Sequence, residues 1–534
     1  MKKREQLPNA QTYTILFRGF ANSVHPRLAV SEAVRIYHSM MTSKRLKPNI
    51  IHMNAVLEVC GRAGDIDSLF SIVSTADDKL RSPDNRTYTI ILNSLRPKIP
   101  THRLPRRRPQ NEEEQVEEED QEDSDSTPDL AVVNQAKAIW DEVRTKWRKG
   151  KIIIDEPLVC AMGRILRHGG RQENLEILDL VHETMNIPRL DKVPEALPTR
   201  KVSQPVRKQD QPTETAAKEP IDAIAEEPTE AVTEKPTEAI AEEATKATVK
   251  PRIQLQRRSN TTQSLYAIPG SNTLSLILES LRETRRTTLG PKYWDLFVNT
   301  YKVEPDRENY ASYLRLLRVG HASTKTADVI EGMPTKWMMA KTFRIGLSCC
   351  IKDNLNKHAF ANATRIFKAM KALRVPDALS MRLYINATRA NFRPLTANVS
   401  ATEGKFALGR QIVVALQHMW EPFGTLTRSF SFSSRRTESL LQLKDSTFNE
   451  RMEAMAVAKR MIAAMDFVVT EGAAEASVIK NLRTRRNVLN RLVARFYQEP
   501  HGLKETREDF EDIESKMPAT TYRDGGRGRS VDRL

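Results

Sequence analysis

One phrase recurs three times near the start of the chain, and its spacing restricts the fold more than any other feature. Pro8-Asn9-Ala10-Gln11-Thr12-Tyr13-Thr14-Ile15-Leu16 is followed by Pro48-Asn49-Ile50-Ile51-His52-Met53-Asn54-Ala55-Val56, and then by Pro83-Asp84-Asn85-Arg86-Thr87-Tyr88-Thr89-Ile90-Ile91. The step from Asn49 to Asp84 is thirty-five residues, a period that belongs to stacked helical repeats. In residues 50–84, Met53, Val56, Leu57 and Cys60 recur at i, i+3, i+4 and i+7 and form one apolar face of a first helix. Gly61-Arg62-Ala63-Gly64-Asp65 breaks it, with Gly64 where a left-handed C-cap costs little. Ile66, Leu69, Phe70 and Val73 mark a second helix, which Pro83 stops. Two helices of this length cannot bury their apolar faces alone; stacked on neighbouring pairs they can.

These residues resemble the pentatricopeptide repeat family. Its unit opens on Tyr-Asn/Thr-x-Leu-Ile, turns on a Lys-Ala-Gly-Arg-like phrase, carries Ala-x-x-Phe-x-x-Met in its second helix and closes on Lys-Pro-Asp. Residues 50–84 match in length and turn, and 10–49 match in Thr12-Tyr13-Thr14, in Ala33 through Met40 and in Lys47-Pro48-Asn49, with five extra residues. Weaker units run over 156–190, 271–306 and 340–377, and degenerate pairs over 307–333 and 378–420. The Trp-x-x-Leu-Gly-x-x-Tyr opening of tetratricopeptide repeats is absent from the three openings. The resemblance implies an all-α fold, a right-handed superhelical solenoid of antiparallel helix pairs, with about six to eight repeats over roughly 60% of the chain.

Composition divides the array. Residues 101–130 hold eleven acids and four bases, and 210–243 hold eleven acids and two bases, so these two stretches carry −16 of charge in a chain whose net is +16. The remainder is therefore strongly basic, which fits a polyanionic partner. The expected organisation is N-terminal repeats over 1–104, an acidic disordered insertion at 105–129 inside one repeat, and further repeat-like helices over 130–190. A Pro/Thr/Glu/Ala-rich disordered linker at 191–260 follows, then a second repeat block over 261–425, C-terminal helices over 426–510 with no obvious repeat, and a disordered tail at 511–534. Met1 stands only nine residues ahead of a repeat, and Leu7-Pro8-Asn9 reads as the close of a preceding one. The natural protein is accordingly expected to begin upstream.

What the repeats would do follows from the resemblance. Solenoids of this kind read single-stranded RNA one base per unit, and the family's readers are the fifth and last residues of each unit. Carried over, these are Thr14 with Asn49 (adenine), Asn54 with Asp84 (uracil) and Ser275 with Asp306 (guanine). The family's second position sandwiches the base, and here Ile51 is the apolar wedge. Cys160, Ala311, Arg344 and Arg382 take approximate fifth positions and are not usual readers. A basic stripe of Lys480, Arg483, Arg485, Arg486, Arg491 and Arg495 is the candidate contact to RNA backbone, with a solvated face as the competing reading.

The implied partner is single-stranded mitochondrial RNA, messenger or ribosomal, with the mitochondrial ribosome or translation apparatus as the alternative and a protein-binding scaffold as the third reading. The implied location is the mitochondrion. No phosphate loop, HExxH or paired Cys/His spacing is present in the sequence, nor is the HxE with downstream CxxC of the family's deaminase extensions, so no enzyme activity, cofactor or metal is expected. No apolar run reaches the length of a membrane span. Cys60, Cys160, Cys349 and Cys350 read as small buried thiols.

Overall fold

Each opening phrase starts a helix because its Pro-Asn or Pro-Asp ends on an N-cap. Asn9, Asn49, Asp84, Asp155, Asp306 and Asp377 all accept from a backbone N–H three residues on, satisfying one of the orphan donors of the first turn. The computed structural model describes residues 8–96, 130–192, 266–393, 399–430 and 445–498. These belong to one unit formed by 1–192 and 265–534, and the expectations for 105–129, 193–260 and 511–534 lie outside the described residues.

Among the described residues the secondary structure is helical throughout, and the helices come in pairs. In chain order the pairs are α1 (Ala10–Ala21) with α2 (Pro26–Thr42), α3 (Ile50–Ala63) with α4 (Ile66–Val73), α5 (Asn85–Leu95) with α6 (Leu130–Arg148), and α7 (Glu156–Leu166) with α8 (Arg171–Met185). They continue as α9 (Ser271–Glu283) with α10 (Leu289–Asp295), α11 (Arg307–Val319) with α12 (Ser323–Gly332), α13 (Ala340–Lys352) with α14 (Ala359–Ala369), and α15 (Ala378–Ala390) with α16 (Ala401–Phe430). Every odd-numbered helix packs on the next odd-numbered one, giving a first-helix layer, and the even-numbered helices form the second layer against it. The all-α array of stacked pairs is the fold that the resemblance implies. The 105–129 insertion falls between α5 and α6, which still pack as a pair.

The two layers differ in burial because they differ in neighbours. A first helix touches the first helices before and after it and its own partner, so it must be apolar nearly all round. Of the fourteen residues of α3 eight are buried, and of the eleven of α7 also eight, whereas α2 buries five of seventeen. Close approach is built in with glycine: a Cβ at Gly61 of α3 would overlap the Ser94 hydroxyl of α5. Gly64 closes α3 at φ 76°, in the left-handed region where glycine carries no Cβ penalty.

The C-terminal helices continue the pairing, although no repeat is obvious in the sequence of 426–510. α17 (Asp445–Thr470) packs on α15 and α16 as a following first helix would, and α18 (Ala476–Gln498) packs on α17 as its partner. The sequence hides this because the repeat phrase is missing while the apolar faces remain. Val457, Ala458, Met461, Met465 and Val468 of α17 are fully buried.

All four cysteines are free and buried. Burial pushes the Cys60 thiol up to about 12 and those of Cys160 and Cys349 to about 11, and it raises Cys350 well above its ordinary value. The thiolate is the reactive form, so the native protein is expected to resist a disulfide reagent at pH 8 and to expose four reactive thiols on denaturation. Thiol titration with and without denaturant reads this directly.

Candidate nucleic-acid interface

At Asn54, Ser275 and Arg344 the fifth residue of a first helix reaches the N-terminus of the next, which lies alongside it. Its neighbours there are the capping residue and the third residue of the following helix, and together they make a polar node in an otherwise apolar seam.

The node at α3 and α5 is the most complete. Asn54 donates from Nδ2 to Asp84 Oδ1 at 3.1 Å and accepts at Oδ1 from the Thr87 hydroxyl at 2.7 Å. Asp84 also accepts from the Thr87 backbone N–H at 2.8 Å. The expected reading pair is thus brought into contact by the fold. Asn54 is 5% exposed and Thr87 0%, so the amide is held firmly, at an energy the buried hydrogen bonds offset. Ile51, one turn before Asn54 on the same face, stays 55% exposed. An apolar side chain left in water beside a polar reader is suited to stacking on a base.

The same arrangement recurs at α9 and α11. Asn309, third in α11, donates from Nδ2 to the Ser275 hydroxyl oxygen at 2.8 Å and to the Ser271 carbonyl at 2.7 Å, while Asp306 caps α11 by accepting from the Asn309 N–H. Here the expected pair, Ser275 and Asp306, is joined through Asn309. At α1 and α3 the geometry differs. Thr14 turns its hydroxyl back to the Ala10 carbonyl at 3.1 Å, and His52 takes the bridging role with Nε2 3.0 Å from that same carbonyl. Because His52 Nδ1 accepts from the Asn49 N–H, Nε2 is the protonated nitrogen and the donor. Asn49 caps α3 and is not hydrogen-bonded to Thr14.

Two nodes are closed by ion pairs. Arg344 grips Asp377 with Nε at 2.9 Å and Nη2 at 2.7 Å, and Ser380 donates to the same carboxylate. Burial pushes the Asp377 carboxyl up, but Arg344 and Ser380 more than offset it and the group sits below its ordinary value. Arg382 reaches Glu453 of α17. Fifth-position arginines in this half of the array therefore tie neighbouring helices together.

The basic stripe is placed by the structure on α18, in the second layer, whereas the readers sit in the first. Lys480, Arg483, Arg491 and Arg495 are exposed and, at 100° per residue, share a face of about 120°. Arg485 and Arg486 depart from the expected stripe: Arg485 lies over the Trp420 ring at 4.8 Å, and Arg486 pairs with Asp466 at 2.5 Å. Both are spent on holding α18 against α16 and α17.

The residues that sequence reading passed over are the bridging third residues, Thr87, Asn309 and Ser380. Their signal was present as an Asp-x-x-Thr, Asp-x-x-Asn and Asp-x-x-Ser spacing at the starts of α5, α11 and α15, the spacing of a capping box. Among the described residues no group of three His, Cys, Asp or Glu is arranged to hold a metal, and no helix is long and apolar enough to cross a membrane.

Paired helices, stacked first helices and polar nodes at several junctions define a helical-repeat protein. No protein-family model and no curated protein matches the chain. Among solved structures it is similar to the pentatricopeptide repeat protein PPR10 from maize, at 12% identity over 96% of this chain and 69% of that one, with a TM-score of 0.25. A structure of PPR10 in complex with an 18-nt psaJ RNA element matches at the same identity, over 67% of that chain, with a TM-score of 0.28. Likeness at this level assigns neither ligand nor role.

Proposed function

We propose that this protein binds single-stranded RNA along its first-helix layer and acts post-transcriptionally on mitochondrial RNA, by binding and not by catalysis. The observation that carries the reading is the node at Asn54, Asp84 and Ile51: a fixed amide with donor and acceptor, an adjacent carboxylate and an exposed apolar wedge, set at a repeat junction. An amide offers both partners that a base's Watson–Crick edge needs, and a stacked array presents one such site per unit. The mitochondrial location is inferred from the family resemblance alone, and organelle fractionation tests it.

Crosslinking and sequencing of RNA bound to the tagged protein is the direct experiment. A discrete site, lost or shifted in Asn54→Ala/Asp84→Ala, is expected; no bound RNA overturns the proposal. A second reading is favoured by the four exposed cations of α18, which suit phosphate contacts without base readout. It expects broad ribosomal RNA coverage, indifferent to Asn54→Ala/Asp84→Ala, reduced by Arg491→Ser/Arg495→Ser and falling steeply with salt.

A further inference from the structure

We infer that Thr87 and Asn309, the third residues of α5 and α11, are positioning residues that decide which hydrogen-bonding edge the preceding reader presents, with Thr87 fixing Asn54 for uracil over cytosine. The inference rests on the RNA-binding reading above and deepens it.

The chemistry starts from Asp84. An ionised carboxylate only accepts, so the end of Asn54 that faces it at 3.1 Å is Nδ2. Oδ1 is thereby turned to Thr87, whose hydroxyl lies 2.7 Å from it and 2.8 Å from Asp84 Oδ1, so its single proton is shared between these two acceptors. The amide is held from both ends. What remains for a ligand is the second Nδ2 hydrogen and the second lone pair of Oδ1, in an order that cannot reverse without breaking both contacts. Uracil presents an acceptor, O4, beside a donor, N3–H; cytosine presents a donor, N4–H, beside an acceptor, N3. The two pyrimidines therefore differ in the order of the groups that a fixed amide meets, and a freely turning amide would serve either.

The same position acts on a different reader at α9 and α11. Asn309 donates to the Ser275 oxygen at 2.8 Å, so the Ser275 hydroxyl accepts there and keeps its own proton to donate. At the closed node, by contrast, Ser380 bonds Asp377 and leaves Arg344 to the carboxylate. Third residues thus set the polarity of the reader where they touch it, as at Asn54 and Ser275; at Thr14 the third residue, His52, bonds the Ala10 carbonyl instead. Thr87 is 0% exposed and Asn309 0%, so neither meets the ligand itself.

The test uses the full chain and 12-nt single-stranded RNAs scanned with single uracil-to-cytosine changes, with affinity read by fluorescence anisotropy. Wild type is expected to show one position, sensitive to Asn54→Ala, where cytosine costs about tenfold, the worth of a hydrogen bond of this kind. In Thr87→Val that ratio falls to below about threefold while mean affinity changes little, and Thr87→Ser restores it. A structural loss alone lowers affinity for both bases equally and leaves the ratio. Thr87→Ala gives the same readout should valine reduce helicity. A ratio unchanged in the hydroxyl-free variants overturns the inference with the RNA-binding reading intact; absence of RNA binding by wild type overturns both.

Discussion

Replacing Gly409 by alanine is expected to unseat the last helix pair while leaving the rest of the array folded. Gly409 lies in α16 against the turn between α17 and α18, where a Cβ would drive into the carbonyl oxygen of Ala473. That oxygen is backbone, in a turn fixed by the Ala473 N–H on the Val468 carbonyl at 3.0 Å and by Gly472 at φ 60°. Lys405 pins the same junction to Glu471 at 2.7 Å. With no flexible side chain to yield, the cost lies at the upper end for overpacking, about 3 kcal/mol. In a repeat array stability is local, so hydrogen exchange should show lost protection confined to α16, α17 and α18. Gly424→Ala is the control in the same helix: its Cβ meets nothing within 4 Å, and the change is expected to stabilise by about 0.5–1 kcal/mol through helix propensity. Equal behaviour of the two variants would refute the steric account.

The second large effect is expected at Asp191, just beyond α8. Its carboxylate accepts from Arg189 Nε and Nη2, both at 2.7 Å, and from Arg286 Nη1 at 2.6 Å, joining the exit of α8 to the turn between α9 and α10. The Arg189 hydrogen bonds, against a smaller opposing push from burial, hold the Asp191 carboxyl at about 2. Asp191→Asn leaves Arg189, whose side chain is 9% exposed, short of a charge partner, although Asp179 still reaches it. A cost of about 3 kcal/mol follows from breaking such a pair from one side. The pH dependence has a fixed sign. A carboxyl held below its ordinary value of 3.8 in the folded state contributes its stability in full above that value and loses it as the pH falls toward about 2. The stability gap between wild type and Asp191→Asn should therefore be constant from neutral pH to about 5 and close between about 4 and 2. Denaturant melts of both proteins across that range measure it, and a gap that persists at pH 2 would show the carboxylate charge to be irrelevant.

Much of the fold was legible because helix pairs announce themselves locally. The recurring phrase at each helix start, the C-cap at Gly64 and the 3.6-residue apolar faces are properties of short segments, and the structure places helix starts, cap and faces where the sequence reads them. The ninth pair was not legible, because α17 and α18 have lost the opening phrase and keep only buried faces. A Met- and Ala-rich face does not say which helix it packs on. The basic stripe shows the same boundary: periodicity finds Arg485 and Arg486, but their diversion to Trp420 and Asp466 depends on how α18 is rotated against α16 and α17.

For the candidate site, the sequence by itself determined that first and second helices alternate, that a Pro-Asn or Pro-Asp phrase recurs at helix starts, and that Asn54 and Asp84 occupy matching positions. These follow from hydrogen bonds and apolar contacts made within one helix turn or between consecutive helices. Tertiary structure alone decided that Asn54 meets Asp84 and Thr87 thirty residues or more away, that Arg344 is locked to Asp377, and that the α18 cations lie in the layer opposite the readers. The physical reason is that a polar side chain's role depends on which donors and acceptors surround it once water is excluded, and those neighbours come from the next helix in space.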